Sequence, residues 1–150
     1  MTDITITLDT FIHKITKYLE SLIIEESGKI QIFNNLNFPN ITINDYLKRI
    51  YKYMKFDNAD MYAVCSYISV LSNTCTINKN NIFVIFSVFS VLYDKMYNDN
   101  FHNNKYYSCV VGLNIIFLQE AEYELFIAID MRLVIDNDML NGVIKKIDKY

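Results

Sequence analysis

The segment from Asn81 to Met96 constrains the fold more than any other part of the chain. From Ile82 to Leu92 it reads Ile-Phe-Val-Ile-Phe-Ser-Val-Phe-Ser-Val-Leu, apolar on nearly every face. Its β-branched residues would suit a buried strand, but about 15 residues without a turn signal exceed ordinary strands. A helix that is hydrophobic all round must be enclosed by other elements. Its longest apolar run is about 12 residues and carries two serines, against about 20 needed to span a membrane.

The rest of the chain supplies the enclosing helices. Apolar residues at Leu8, Phe11, Ile12, Ile15, Tyr18, Leu19 and Leu22 follow the i, i+3, i+4, i+7 pattern and predict a helix over 8–26, with Gly28 as its stop. Asn-rich 30–41 holds the only proline, Pro39, and reads as a loop. A helix starting near Ile43, capped by Thr42 or Asn44, puts Tyr46, Leu47, Ile50, Tyr53 and Met54 on one face. Asp57 or Asn58 caps the next, over 59–71, and a polar break at 72–80 leads into the central segment. After a polar loop at 98–104 come a short helix over 106–111 closed by Gly112, a long one over 114–129, and a last one capped by Asp136 or Asn137. The expected architecture is all-α.

Composition excludes several function classes. The chain has 150 residues, 52% of them hydrophobic and 21% charged, enough to fill one core. Three Gly and one Pro argue against a many-stranded sandwich and cannot build a Gly-rich phosphate loop. A net charge of −3, with Arg49 and Arg132 the only arginines, argues against nucleic acid as a partner. The N-terminus lacks the positive charge and continuous apolar stretch of a signal peptide. Odd-numbered, widely spaced Cys65, Cys75 and Cys109 fit free thiols. An intracellular location, cytoplasmic or nuclear, and no membrane association are therefore expected.

No catalytic or metal constellation emerges. His13 and His102 sit in no ligand motif, and zinc needs three or four converging ligands. Glu120, Glu122 and Glu124 diverge by about 200° per step on a helix, so they cannot share one cleft. Lys48, Lys52 and Lys55 read as a solvated face. The expectation is a protein that is not an enzyme, with no cofactor and no small-molecule substrate.

Four passages carry a more specific signal. Ile43 to Tyr53 contains Tyr-Leu-x-Arg-Ile-x-Lys-Tyr. Asn78 to Lys95 is an apolar helix ending in lysine. Lys95 to Gly112 reads Lys-Met-Tyr-Asn-Asp-Asn-Phe-His-Asn-Asn-Lys-Tyr-Tyr-Ser-Cys-Val-Val-Gly, and Glu122 to Leu133 reads Glu-Tyr-Glu-Leu-Phe-Ile-Ala-Ile-Asp-Met-Arg-Leu. In this order and spacing the chain resembles the cyclin box, most closely that of the short single-box P-type cyclins.

The resemblance implies a five-helix box over 41–133 around a central buried helix. An N-terminal helix and loop at 1–40 and a C-terminal helix at 134–150 would flank it, with no room for a second box. It also implies a regulatory subunit that binds and activates a cyclin-dependent Ser/Thr protein kinase by docking on the kinase's movable helix. Lys95 and Glu122 are then the anchors, with Met96, Phe126, Met131 and Leu133 as apolar contacts. An ordinary intramolecular ion pair between Lys95 and Glu122, and core packing for Phe126 and Leu133, remain alternatives. So does an all-α module of another kind that captures a partner helix in an apolar groove.

Two departures from the family pattern stand out. Tyr93 and Asp94 occupy positions where small residues usually precede the lysine, so local packing or register must differ. The first box helix also lacks the Met-Arg-Ala-Ile-Leu docking pattern, so no Arg-x-Leu groove is expected.

Overall fold

The structure, a computed structural model, describes residues 3–23, 29–33 and 40–150, with side chains from Leu8 onward. These residues form seven helices: α1 (Asp3–Leu22), α2 (Ile43–Tyr53), α3 (Asn58–Ser72), α4 (Ile82–Tyr97), α5 (Asn104–Val111), α6 (Ile115–Ala128) and α7 (Asn137–Asp148). The expected stop at Gly28, like Pro39, lies outside the described residues.

Helix α4 is the centre of the molecule. It packs against α3, α6 and α2, and side-chain bonds from its last turn reach α5. Ile85, Phe86, Val88, Phe89 and Val91 are almost wholly enclosed. Two serines interrupt the apolar run without leaving polar atoms unpaired. Ser87 donates to the Phe83 carbonyl at 2.5 Å and Ser90 to that of Phe86 at 2.7 Å, the usual solution for a buried helical hydroxyl. Outside this shell, α1 packs on α2 and α3, and α7 closes against α1 and α3.

Side chains offered by the sequence cap most helices. Thr42 accepts from the Asp45 amide at 3.1 Å, and Asp57 and Asp60 form a reciprocal capping box. Asp136 accepts from Asp138 and Met139. Asn103 and Asn114 cap α5 and α6 in the same way. Gly112 takes φ +76°, the left-handed conformation that ends α5 and lets the chain turn into α6.

The polar break before α4 is not a solvated loop. Cys75, Thr76 and Ile77 are buried, because the Ile30 strand segment bridges to Cys75. The Ile30 amide donates to the Thr74 carbonyl at 3.0 Å, and Thr76 donates back to Ile30 at 2.9 Å. Asn81 is fully buried and makes no side-chain cap. Its amide instead donates to the Thr76 and Ile32 carbonyls, tying this turn to the 29–33 segment. Tyr53 also departs from expectation. It is half in solvent, where Lys52 lies over its ring.

Tyr46 pins α2 to the centre. Its hydroxyl donates to the Val111 carbonyl at 2.6 Å and lies against the Ser87 hydroxyl. Burial pushes its pKa up to about 12 from the usual 10. The folded chain therefore holds the phenol proton more tightly than the unfolded chain does. Its contribution is fully present below pH 10 and is lost as pH rises towards 12, at about 1.4 kcal/mol for each pH unit in that window. Thermal melts should be flat with pH through neutrality and fall above pH 10, and Tyr46→Phe should blunt that fall.

Candidate functional site

The two predicted anchors meet where the last turn of α4, the start of α5 and the middle of α6 come together. Lys95 sits in the last turn of α4 and Glu122 midway along α6. Lys95 Nζ lies 2.7 Å from Glu122 Oε1 and donates to Asn104 Oδ1, at the start of α5, at 2.5 Å. The Tyr107 ring sits 5.6 Å from the ammonium and adds a cation–π contact. The lysine side chain is 26% exposed and the glutamate 12%. The pair is thus sunk into the surface but still reachable from outside. Charges this far from water need partners, and three helices provide them.

The positions before the lysine are filled by bonds in place of close helix approach. Asp94 is buried and accepts from the Tyr107 hydroxyl at 2.5 Å and from Asn98 at 3.3 Å. Burial, reinforced by that bond to Asp94, raises the Tyr107 pKa above the ordinary tyrosine range. Tyr93 turns towards α3, donating to Asp60 at 2.6 Å and meeting Phe56 edge-on. Tyr93 is thus held towards α3 and Asp94 towards α5, and Lys95 still reaches Glu122.

The apolar members divide by exposure. Met96 is 47% exposed and Met131 61%, so neither is core. Phe126 is half-buried, and Leu133 is half-buried against the core. Leu133 and its neighbours are held by two tyrosines. Tyr67 donates to the Leu133 carbonyl at 2.5 Å, and the Ile135 amide donates to the Tyr97 hydroxyl at 3.0 Å.

Helix α6 ends in a paired-bond stop. The Met131 amide reaches the Phe126 carbonyl at 2.8 Å and the Asp130 amide that of Ile127 at 2.9 Å. This requires left-handed backbone at Asp130 (φ 55°) and Met131 (φ 60°), where glycine is favoured. Asp130→Gly should relieve this strain and stabilise the fold by about 1 kcal/mol, read as a raised denaturation midpoint with an unchanged slope.

Asn104 and Tyr107 join the anchors, and Tyr67 and Tyr97 hold the chain after α6; none of the four was among the expected contact residues. Asn104 and Tyr107 lie in the Asn-x-x-Tyr portion of the third passage, so a signal existed. Tyr67 and Tyr97 act through hydroxyl bonds to distant backbone, which no local spacing reveals.

Elsewhere, a cleft of about 390 Å³ opens between α2, α4 and the α5–α6 turn. Two of its polar groups are engaged structurally: besides Tyr46, Arg49 donates to the Val110 and Cys109 carbonyls at 2.8 and 2.9 Å, closing the C-terminal end of α5. Among the described residues, no three His, Cys, Asp or Glu side chains are grouped to hold a metal, and no helix is long and apolar enough to cross a membrane. Cys65 and Cys75 are buried free thiols, whereas Cys109 is exposed.

A family model described as Cyclin matches residues 10–133. The chain belongs to the cyclin family. Similar curated proteins are three cyclins of Arabidopsis thaliana. Cyclin-U4-1 is 23% identical over 127 residues, 83% of this chain and 63% of that protein. Cyclin-U1-1 is 28% identical over 112 residues, 71% of this chain and 52% of that protein. Cyclin-U3-1 is 27% identical over 119 residues, 78% and 54% of the two chains. U-type cyclins are P-type cyclins, the group the sequence resembles. This cyclin spans roughly half to two-thirds of the length of these relatives. The family match starts at Thr10 and so includes most of α1, which shares the core with α2 and α3. Membership supports a regulatory role.

Proposed function

We propose that this cyclin binds and activates a cyclin-dependent Ser/Thr protein kinase by docking on the kinase's movable helix. The observation that carries the reading is the Lys95–Glu122–Asn104 cluster, sunk at a three-helix junction with exposed Met96 next to Lys95 in the chain. A polar centre with apolar neighbours matches the anatomy of a tight interface.

Lys95 would donate to, and Glu122 accept from, the backbone at the end of the kinase helix. Met96, Phe126, Met131 and Leu133 would cover its apolar side. The kinase exchanges between a state with this helix swung out and one with it swung in, and a surface that binds only the second shifts the population towards it. The kinase's own Lys–Glu pair then closes and its activation loop is released. The cyclin contributes no catalytic group and needs no cofactor. The encounter takes place inside the cell, in cytoplasm or nucleus.

The test is affinity capture from lysate of the source organism with wild-type protein and Lys95→Glu in parallel, followed by mass spectrometry. A protein kinase enriched by wild type and lost in the variant is expected. A different partner that survives the substitution would favour a helical module of another kind.

A further inference from the structure

A hollow of about 560 Å³ lies between α2 and α5, lined by Arg49 and Tyr53 of the first and by Tyr106, Cys109 and Val110 of the second. The Tyr106 hydroxyl donates to the Tyr53 carbonyl at 2.9 Å and ties the two helices together here. Lys52 holds its ammonium 5.3 Å from the centre of the half-exposed Tyr53 ring. Lys105 is exposed and lies about 40° around α5 from Cys109, one turn earlier. Among the described residues the ion pairs are Lys17–Glu20, Lys48–Asp9 and Lys95–Glu122, so Arg49, Lys52 and Lys105 belong to none.

Arg49 is held ready for an anion. Its Nε and one terminal nitrogen are bound to the Val110 and Cys109 carbonyls, which fix the guanidinium, and three of its five N–H donors remain. A preorganised Arg beside tyrosine rings is the residue chemistry that anchors interfaces. The surroundings set the sign of the ligand. Helices α2 and α5 carry Lys48, Arg49, Lys52 and Lys105 against one acid, Asp45, in a chain of net charge −3. These cations are distributed over two helices, which suits carboxylates spaced along a segment better than a single phosphate. Nucleic acid is a poor occupant, because three cations neutralise little of its backbone and the rest of the chain repels it. Tyr106 and Cys109 lie about 160° and 140° around α5 from Asn104, which faces Lys95. A ligand in the hollow therefore leaves the Lys95–Glu122 cluster open.

We propose that this hollow docks an acidic linear segment of a partner protein. Asp or Glu side chains of the segment meet Arg49, Lys52 and Lys105, and one apolar side chain settles between the tyrosines over Val110. The proposal stands apart from the kinase reading, since the segment binds the free chain.

Fluorescence anisotropy of the labelled peptide Asp-Glu-Glu-Phe-Glu-Asp-Glu with the purified full chain tests it. Saturable binding is expected, weakened about tenfold or more by Lys52→Glu combined with Lys105→Glu, at two exposed positions where the thermal melt should not change. The place of binding is read from Cys109. Saturating peptide should slow alkylation of this exposed thiol by iodoacetamide about tenfold, while buried Cys65 and Cys75 stay unreactive. Absence of saturable binding, equal binding by the double variant, or unchanged alkylation of Cys109 would overturn the proposal. Tighter, variant-sensitive binding of a labelled oligothymidylate would assign the hollow to nucleic acid instead. Self-association lost in the double variant would assign it to the acidic residues of a second copy. Either result overturns the proposal and leaves the cyclin reading untouched.

Discussion

Exchanging the two anchor charges, Lys95→Glu together with Glu122→Lys, is expected to restore the ion pair while leaving kinase binding abolished. Each reversal alone sets two like charges side by side where the native pair stands 2.7 Å apart. Either single variant should therefore lose about 1–3 kcal/mol of stability, since both groups are partly withdrawn from water. In the exchanged protein opposite charges meet again, and the Asn104 amide can turn to present its NH₂ to the new glutamate. Stability should return most of the way.

Binding follows a different rule. A partner whose backbone groups are placed for a donor at 95 and an acceptor at 122 meets the reverse in the exchanged protein. Two buried mismatches should cost about 4 kcal/mol or more, roughly a thousandfold in affinity. The measurement pairs thermal melts with titration of the kinase recovered by wild type. Recovery of both stability and binding would show that the pair serves only its own fold.

Phe89→Ala is expected to cost about 3–5 kcal/mol. Phe89 is wholly enclosed in α4 and packs on Tyr67 with ring centroids 5.5 Å apart. Its removal leaves a cavity between α4 and α3, two long helices that cannot collapse onto it. A domain of this size has about 5–15 kcal/mol in total, so the loss is a large share of it. Chemical denaturation should show a lowered midpoint with little change in slope. The same substitution at Met131, which is 61% exposed, should be nearly silent in stability. A small loss at Phe89 would contradict the central place given to α4.

Periodicity made the helices legible, because an apolar stripe at 3.6 spacing has few other uses. The α1 face from Leu8 to Leu22 and the all-round apolar α4 are the plainest cases. Caps at Thr42, Asp57 and Asp136 were legible because their side chains bond within three residues. The buried turn at Cys75–Ile77 was not, since its backbone partners sit on Ile30, more than 40 positions away. Tyr53 misled because a 3.6 pattern shows which face is apolar but not whether another element covers it.

At the candidate site, Lys95 and Glu122 were visible through family resemblance and through the cost of burying either alone. The third member, Asn104, and the bond that settles Asp94 on Tyr107 depend on how α5 is tilted, which spacing does not encode.

The central claim is that this surface switches a kinase on. The most direct measurement is the activity of the recovered kinase on a Ser/Thr peptide, alone and with increasing protein, using wild type and the charge-exchanged variant. The account predicts low activity alone, a saturable rise with wild type, and none with the exchanged variant at the same concentrations. Equal stimulation by both proteins, or a kinase fully active without either, would contradict it.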